Sequence, residues 1–241
     1  MTALLEISHV AKRFNGVVAL DGVSARVGRA TITAVIGPNG SGKTSLLNVV
    51  TGFYEADRGS VRFNGTEIAG RPPHWIARLG LARTFQHIRL FEGFSVFDNV
   101  HVAAERRGTS HARRRAEQAL EVVGLAAVGR QQADALPYGH KRRLEIARAL
   151  ATEPEILILD EPAAGMNATE KIELGELLFT IRDLGKTILL VEHDMDLVMG
   201  ISDYVIALNF GCTLAAGAPA AVRQDPQVIE AYLGRPEAAD A

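Results

Sequence analysis

Short apolar runs and segments of helical period alternate along this 241-residue chain. Residues 4–7, 17–20 and 31–36 are brief runs separated by Gly-containing turns, and they read as strands. A glycine-rich stretch, 37–42, follows, and a helical pattern begins at Lys43. The segment SVRFN alternates and ends in Asn64-Gly65, a hairpin signal. From about residue 72 to 151 the chain is rich in Ala, Arg, Glu and Leu, which predicts helix. Residues 156–159, 187–191 and 204–208 are apolar throughout, the pattern of parallel strands buried on both faces. Helical patterns at 168–184 and 195–201 lie between them.

Strand and helix in alternation predict an α/β fold with a parallel sheet covered on both faces. The helical block interrupts that alternation like an insertion. No internal repeat is visible, and the Pro- and Ala-rich tail, 235–241, is expected to fray.

Composition narrows the class without deciding it. At 47% hydrophobic and 22% charged, the chain is ordinary globular material able to bury a full core. The 26 Lys and Arg nearly balance 28 Asp and Glu, a net charge of −2, which argues against a nucleic-acid coat or a polybasic membrane binder. Cys212 is the single cysteine, so no intrachain disulfide can form, as suits a reducing compartment. No apolar run exceeds about five residues, against about 18 for a membrane span. Glu6 and His9 interrupt the N-terminal segment before any secretory core could form.

Three strings carry chemistry. Gly37, Pro38, Asn39, Gly40, Ser41, Gly42, Lys43 and Thr44 match the phosphate-binding loop in full, with Ser45 following in the same helical turn. Glycines let backbone N–H groups point inward at an anion, and the helix N-terminus adds partial positive charge. Lys43 is placed for the β- and γ-phosphates of a nucleotide and Thr44 for Mg²⁺. ILILDEP sets Asp160 and Glu161 at the C-terminal edge of a strand, where α/β sheets bind ligands. Asp160 suits the Mg²⁺ shell, and Glu161 can orient and deprotonate a water. TILLVEHD repeats the arrangement one strand later and puts His193 at the same edge, within reach of a γ-phosphate.

These motifs together resemble the nucleotide-binding subunit of ATP-binding cassette (ABC) transporters, over almost the whole chain. The resemblance implies a P-loop ATPase core with an N-terminal antiparallel β subdomain (1–86 and 152–241) and an inserted helical subdomain (87–151). It implies that Gln86, in RTFQ, contacts Mg²⁺ or the attacking water, and that Phe14 stacks on adenine. LPYGH stands where the family signature usually reads LSGGQ, so Tyr138, Gly139 and His140 are implied to meet the nucleotide of a second ATPase subunit. Two positions depart from the family: Pro137 replaces the signature serine, and Asn167 replaces the usual acidic residue of the loop after Glu161. They put in doubt how strongly this chain completes its partner's ATP site.

RTFQHIRLF, RRLEIARAL, DEPAAGMN and VEHDMDLVMGISD are most similar to ATPases of branched-chain amino acid importers; urea and lipopolysaccharide transport ATPases share several of these strings. The implied partners are integral-membrane permease subunits, a second cassette and, indirectly, an external solute-binding protein, at the cytoplasmic face of a membrane. A soluble ATPase of the same fold, such as an iron–sulfur assembly factor, is the alternative, and a degenerate nucleotide-sensing scaffold is opposed by Glu161 and His193. The basic cluster Arg106, Arg107, Arg113, Arg114 and Arg115 reads as a solvated helical face beside Glu105 and Glu117. It lacks the interleaved aromatics that would stack nucleic-acid bases.

Overall fold

A computed structural model describes residues 3–233; the 235–241 tail lies outside the described residues. The N-terminal strands β1 (Ala3–Phe14) and β2 (Val17–Gly28) pair antiparallel, and β4 (Arg58–Phe63) and β5 (Thr66–Glu67) extend that sheet in the order β2-β1-β4-β5. The Asn64-Gly65 signal is realised: both residues have positive φ (49° and 75°), and Phe63 pairs with Thr66.

Between them the chain forms β3 (Ile32–Ile36) and α1 (Lys43–Val50). After β5 come α2 (Pro73–Arg78), β6 (Leu81–Arg83), α3 (Val96–Ala104), α4 (Ala112–Val122) and α5 (Tyr138–Leu150). β7 (Ile156–Asp160), α6 (Ala168–Asp183), β8 (Thr187–Val191), α7 (Met195–Ile201), β9 (Tyr204–Asn209), β10 (Cys212–Gly217), α8 (Pro219–Arg223) and α9 (Pro226–Leu233) complete the described chain. The second sheet has the order β10-β9-β3-β8-β7-β6. Its strands from β9 to β6 pair parallel, while β10 returns antiparallel as an edge.

The unbroken apolar runs follow from this layering. Ile156 and Ile158 of β7 and Leu189 and Val191 of β8 pack into the core shared with α1 and the antiparallel sheet. Leu157, Leu159, Ile188 and Leu190, on the alternate positions, pack into the core beneath the helices. Each such side chain contributes about 1.5–3 kcal/mol by leaving water. The phosphate-loop helix α1 thus sits between the two sheets, with Leu46, Leu47, Val49 and Val50 buried.

Two expectations are corrected. The 72–151 stretch is not helical throughout: β6 lies within it, and its three residues are too short to show a period. The basic cluster is only partly a solvated face. Arg113 pairs with Glu117 at 2.9 Å one helical turn away, but Arg107 donates to the carbonyls of Thr152 and Glu153, and Arg115 to those of Ala104, Gly108 and Ser110. Those two side chains tie backbone segments together.

Candidate nucleotide site

The phosphate loop leaves the buried strand β3 and enters α1. At Gly37 (φ 153°) a Cβ would meet the Leu208 carbonyl oxygen at 2.3 Å and Ser41 Oγ at 2.4 Å; at Gly42 (φ 106°) it would meet the Ala19 carbonyl oxygen at 2.6 Å. Only glycine fits either place. Gly42 is the N-cap of α1, which has no side-chain cap and no acidic residue in its first turn, so its N–H groups remain available to an anion. Ser41 Oγ is buried without a hydrogen-bond partner. Asn39, Gly40 and Thr44 are exposed, and Pro38 and Ser45 half-buried. A cavity of about 250 Å³ is lined by Asn39, Gly40, Ser41, Gly42, Lys43, Thr44 and Ser45, with Val17, Val18, Ala19 and Glu161.

Lys43 Nζ donates to the carbonyl oxygens of Gly37 at 2.7 Å and Pro38 at 3.0 Å, folding the ammonium over the loop. Burial lowers its pKa from the ordinary lysine value, and the carboxylates of Glu161 and Asp160 oppose that shift. The Lys43 charge therefore stands at the meeting point of the loop and the two carboxylates.

Glu161 directly follows β7 with positive φ (48°) and donates its N–H to the Val191 carbonyl at 2.9 Å. Gln86 Nε2 donates to Glu161 Oε2 at 2.8 Å, and His193 Nδ1 lies 4.0 Å from the same oxygen. Gln86, Glu161 and His193 are thus brought together beside the phosphate loop. Asp160 is nearby, but one of its oxygens is taken: Arg83 Nη2 donates to Oδ2 at 2.9 Å, with both side chains nearly buried (6% and 7% exposed). Arg83 also donates to Asn48 Oδ1 and Thr51 Oγ1, at 2.8 and 2.9 Å.

Phe14 does not line the cavity. It pairs across the β1–β2 turn with Val17, which does, and its ring meets Tyr54 edge-on at 4.9 Å. The apolar wall beside the loop is therefore Val17 and Val18, with Phe14 extending it. A base-stacking Phe14 gives a definite expectation: Phe14→Ala weakens ATP and GTP binding alike by about 1 kcal/mol, roughly fivefold. Parallel titrations with the two nucleotides check this; unchanged affinities with a lowered thermal midpoint would make the ring purely structural.

Tyr138, Gly139 and His140 do not line the cavity either. They open α5, whose N-cap is Pro137 (φ −57°, ψ 157°). Proline thus precedes the first turn. Its carbonyl accepts from the Lys141 N–H at 3.0 Å, and no side chain caps the helix. A Cβ on Gly139 would come within 2.8 Å of Glu170 Oε1. Asn167 caps α6: its Oδ1 accepts from the Glu170 N–H at 3.0 Å, while Glu170 Oε2 accepts from the Asn167 N–H at 2.9 Å. Asn and Asp cap helices about equally well, so this departure from the family costs α6 nothing.

Four charged residues with buried side chains escape sequence reasoning. Arg83 is one. Arg142 is fully buried and donates to the carbonyls of Phe85 (2.8 Å) and Gln86 (2.7 Å) and to Glu145 (2.7 Å), binding the start of α5 to the segment that carries Gln86. Glu145 also accepts from the Arg89 N–H at 2.8 Å, and burial pushes its carboxyl pKa up. Glu192, directly after β8, is the fourth. The signal open to sequence was a charge within or at the end of an apolar run; nothing in a period of 3.6 separates Arg142 from a surface arginine.

A glycine cradle, a bare helix N-terminus and a lysine over the loop define a P-loop nucleotide-binding protein. The model of the ABC transporter family matches residues 20–164, and that of the branched-chain amino acid ATP-binding cassette transporter matches 212–238. The chain is 43% identical to the high-affinity branched-chain amino acid transport ATP-binding protein BraF of Pseudomonas aeruginosa and 44% identical to LivG, of the same description, from Escherichia coli. Each match covers 96% of this chain and 98% of the relative. Among solved structures, an ATP-binding cassette of an ABC transporter in its ADP conformation superposes with a TM-score of 0.89 at 30% identity, over 98% of this chain and all of that one. The chain belongs to the ABC transporter family, as an ATP-hydrolysing cassette. Among the described residues no helix is long and apolar enough to cross a membrane.

Proposed function

We propose that this chain binds and hydrolyses ATP to drive a branched-chain amino acid importer, held at the cytoplasmic face of the membrane by permease subunits. The solute class rests on the relatives, whose names carry it over nearly full-length matches. The observation that carries the chemistry is Glu161, whose carboxylate lies between Gln86 Nε2 and His193 Nδ1 at the edge of the phosphate-loop cavity.

Lys43 and the loop N–H groups bind the phosphates, and Phe14 with Val17 and Val18 supports the base. Glu161 takes a proton from the attacking water, oriented by Gln86, while His193 steadies the γ-phosphate. The residues fit a Mg²⁺ ion: Thr44 is exposed at the loop, Asp160 keeps one oxygen beyond the one bound to Arg83, and Gln86 bonds the neighbouring Glu161. Mg²⁺ takes few protein ligands and completes its shell with phosphates and water. When bound, Mg²⁺ neutralises charge on the phosphates.

Tyr138, Gly139 and His140 serve the nucleotide of a second cassette, since they lie off this chain's own loop cavity. Proline leaves the first N–H groups of α5 uncapped, and a serine at this N-cap would occupy only one of them, so Pro137→Ser is expected to change ATPase turnover of the assembled transporter by less than about tenfold. A much larger gain would mean that proline cripples one ATP site. The permease contact is assigned to the groove between the helical subdomain and the P-loop core, lined in part by Phe53, Ile76, Phe85, Arg89 and Arg148. Arg142 and Glu145 bind the Phe85–Arg89 stretch to α5, a rigid route from that groove to Gln86. The external solute-binding protein engages only through the permease. Purification of the tagged chain from detergent-solubilised membranes tests this reading: co-purified integral-membrane subunits are expected, and a chain recovered wholly from the soluble fraction without them would count against it.

A further inference from the structure

Glu192 is fully buried, yet among the described residues it makes no salt bridge to Lys or Arg. Its carboxylate is held by backbone: Oε1 accepts from the Ala163 N–H at 2.8 Å, and Oε2 from the His193 N–H at 3.0 Å. The Asp194 N–H lies 3.5 Å from Oε2, and His193 Nδ1 lies 3.8 Å from it. Its own N–H donates to the Val35 carbonyl at 3.3 Å, on the strand that feeds the phosphate loop. Burying a carboxylate is unfavourable unless every lone pair finds a strong donor. An apolar residue would complete β8 more simply.

The two donors identify what the carboxylate joins. Ala163 lies two residues beyond Glu161, whose N–H is already fixed to Val191. His193 adjoins Glu192 and turns its own side chain outward, 60% exposed. The segment carrying Glu161 is therefore attached to the end of β8 twice, once by backbone and once through Glu192. A neutral acceptor could satisfy one of these N–H groups, but a carboxylate serves both with equal oxygens.

We propose that Glu192 is a positioning residue for ATP hydrolysis: it locks the backbone of His193 to the segment that carries Glu161, so that Glu161 meets the attacking water and His193 the γ-phosphate in one fixed arrangement. The inference rests on the reading of Glu161 and His193 given above. Glu192→Gln conserves volume but has one oxygen, so its NH₂ group must face one of the two N–H donors. In the assembled transporter, Glu192→Gln should lower kcat by about tenfold or more while the ATP Kd stays within about threefold, because the phosphate loop is untouched. The loss should depend on His193: added to His193→Ala, Glu192→Gln should lower the residual kcat by less than about twofold. Wild-type kcat in Glu192→Gln, or the same fold-loss with and without His193, would overturn the proposal and leave Glu192 a structural residue. A His193→Ala transporter with undiminished turnover would instead overturn the reading beneath it, and the proposal with it.

Discussion

Lys43→Ala is expected to weaken ATP binding by about 10- to 150-fold, the equivalent of roughly 1.5–3 kcal/mol for one charge-assisted phosphate contact. The geometry pushes the loss toward the upper end. The ammonium is nearly buried and bridges the Gly37 and Pro38 carbonyls, so its removal also frees the loop it folds over. It further takes a positive charge away from Asp160 and Glu161, leaving their repulsion of the phosphates less compensated. Titration of wild type and variant with a fluorescent ATP analogue measures the effect. Unchanged affinity would remove this loop from the nucleotide site.

Glu161→Gln is expected to preserve binding and lower turnover by about 10²-fold or more. The amide retains the shape of the side chain, and its oxygen can still accept from Gln86, now 2.8 Å from the carboxylate. What it lacks is an oxygen basic enough to take a proton from water. ATP should then accumulate between paired cassettes, and size-exclusion chromatography with ATP and Mg²⁺ should show the larger species. Turnover near that of wild type would move the base elsewhere, with His193 the first alternative.

Much of this architecture was legible because its physics is local. The phosphate loop needs glycines where a Cβ would strike backbone, and Gly37 and Gly42 announce it. The strands at 156–160 and 187–191 are buried on both faces, so apolar residues fill every position and no polar alternation hides them. β6 and β10 were not legible: the first is three residues long, and CTLAAG has neither β-branched density nor alternation. The buried charges were illegible for a different reason. Arg83, Arg142 and Glu192 owe their roles to partners 77, 57 and 29 residues away in sequence, and no local period encodes such a pairing. Phe14 lies between these cases. Its stacking role was implied by the resemblance, but that β1 runs on from residues 4–7 to Phe14, and that the exposed Val17 and Val18 lie beside the loop, appear only once the hairpin folds back.

Coupling of this ATPase to solute movement is tested most directly by reconstituting the purified transporter, with its solute-binding protein, into vesicles and following labelled leucine. Supplying ATP and Mg²⁺ on the cassette side should move leucine from the binding-protein side to the cassette side, and Glu161→Gln in this chain should slow that movement in step with ATP hydrolysis. Leucine movement at the wild-type rate with Glu161→Gln would contradict the assignment of this chain as the motor.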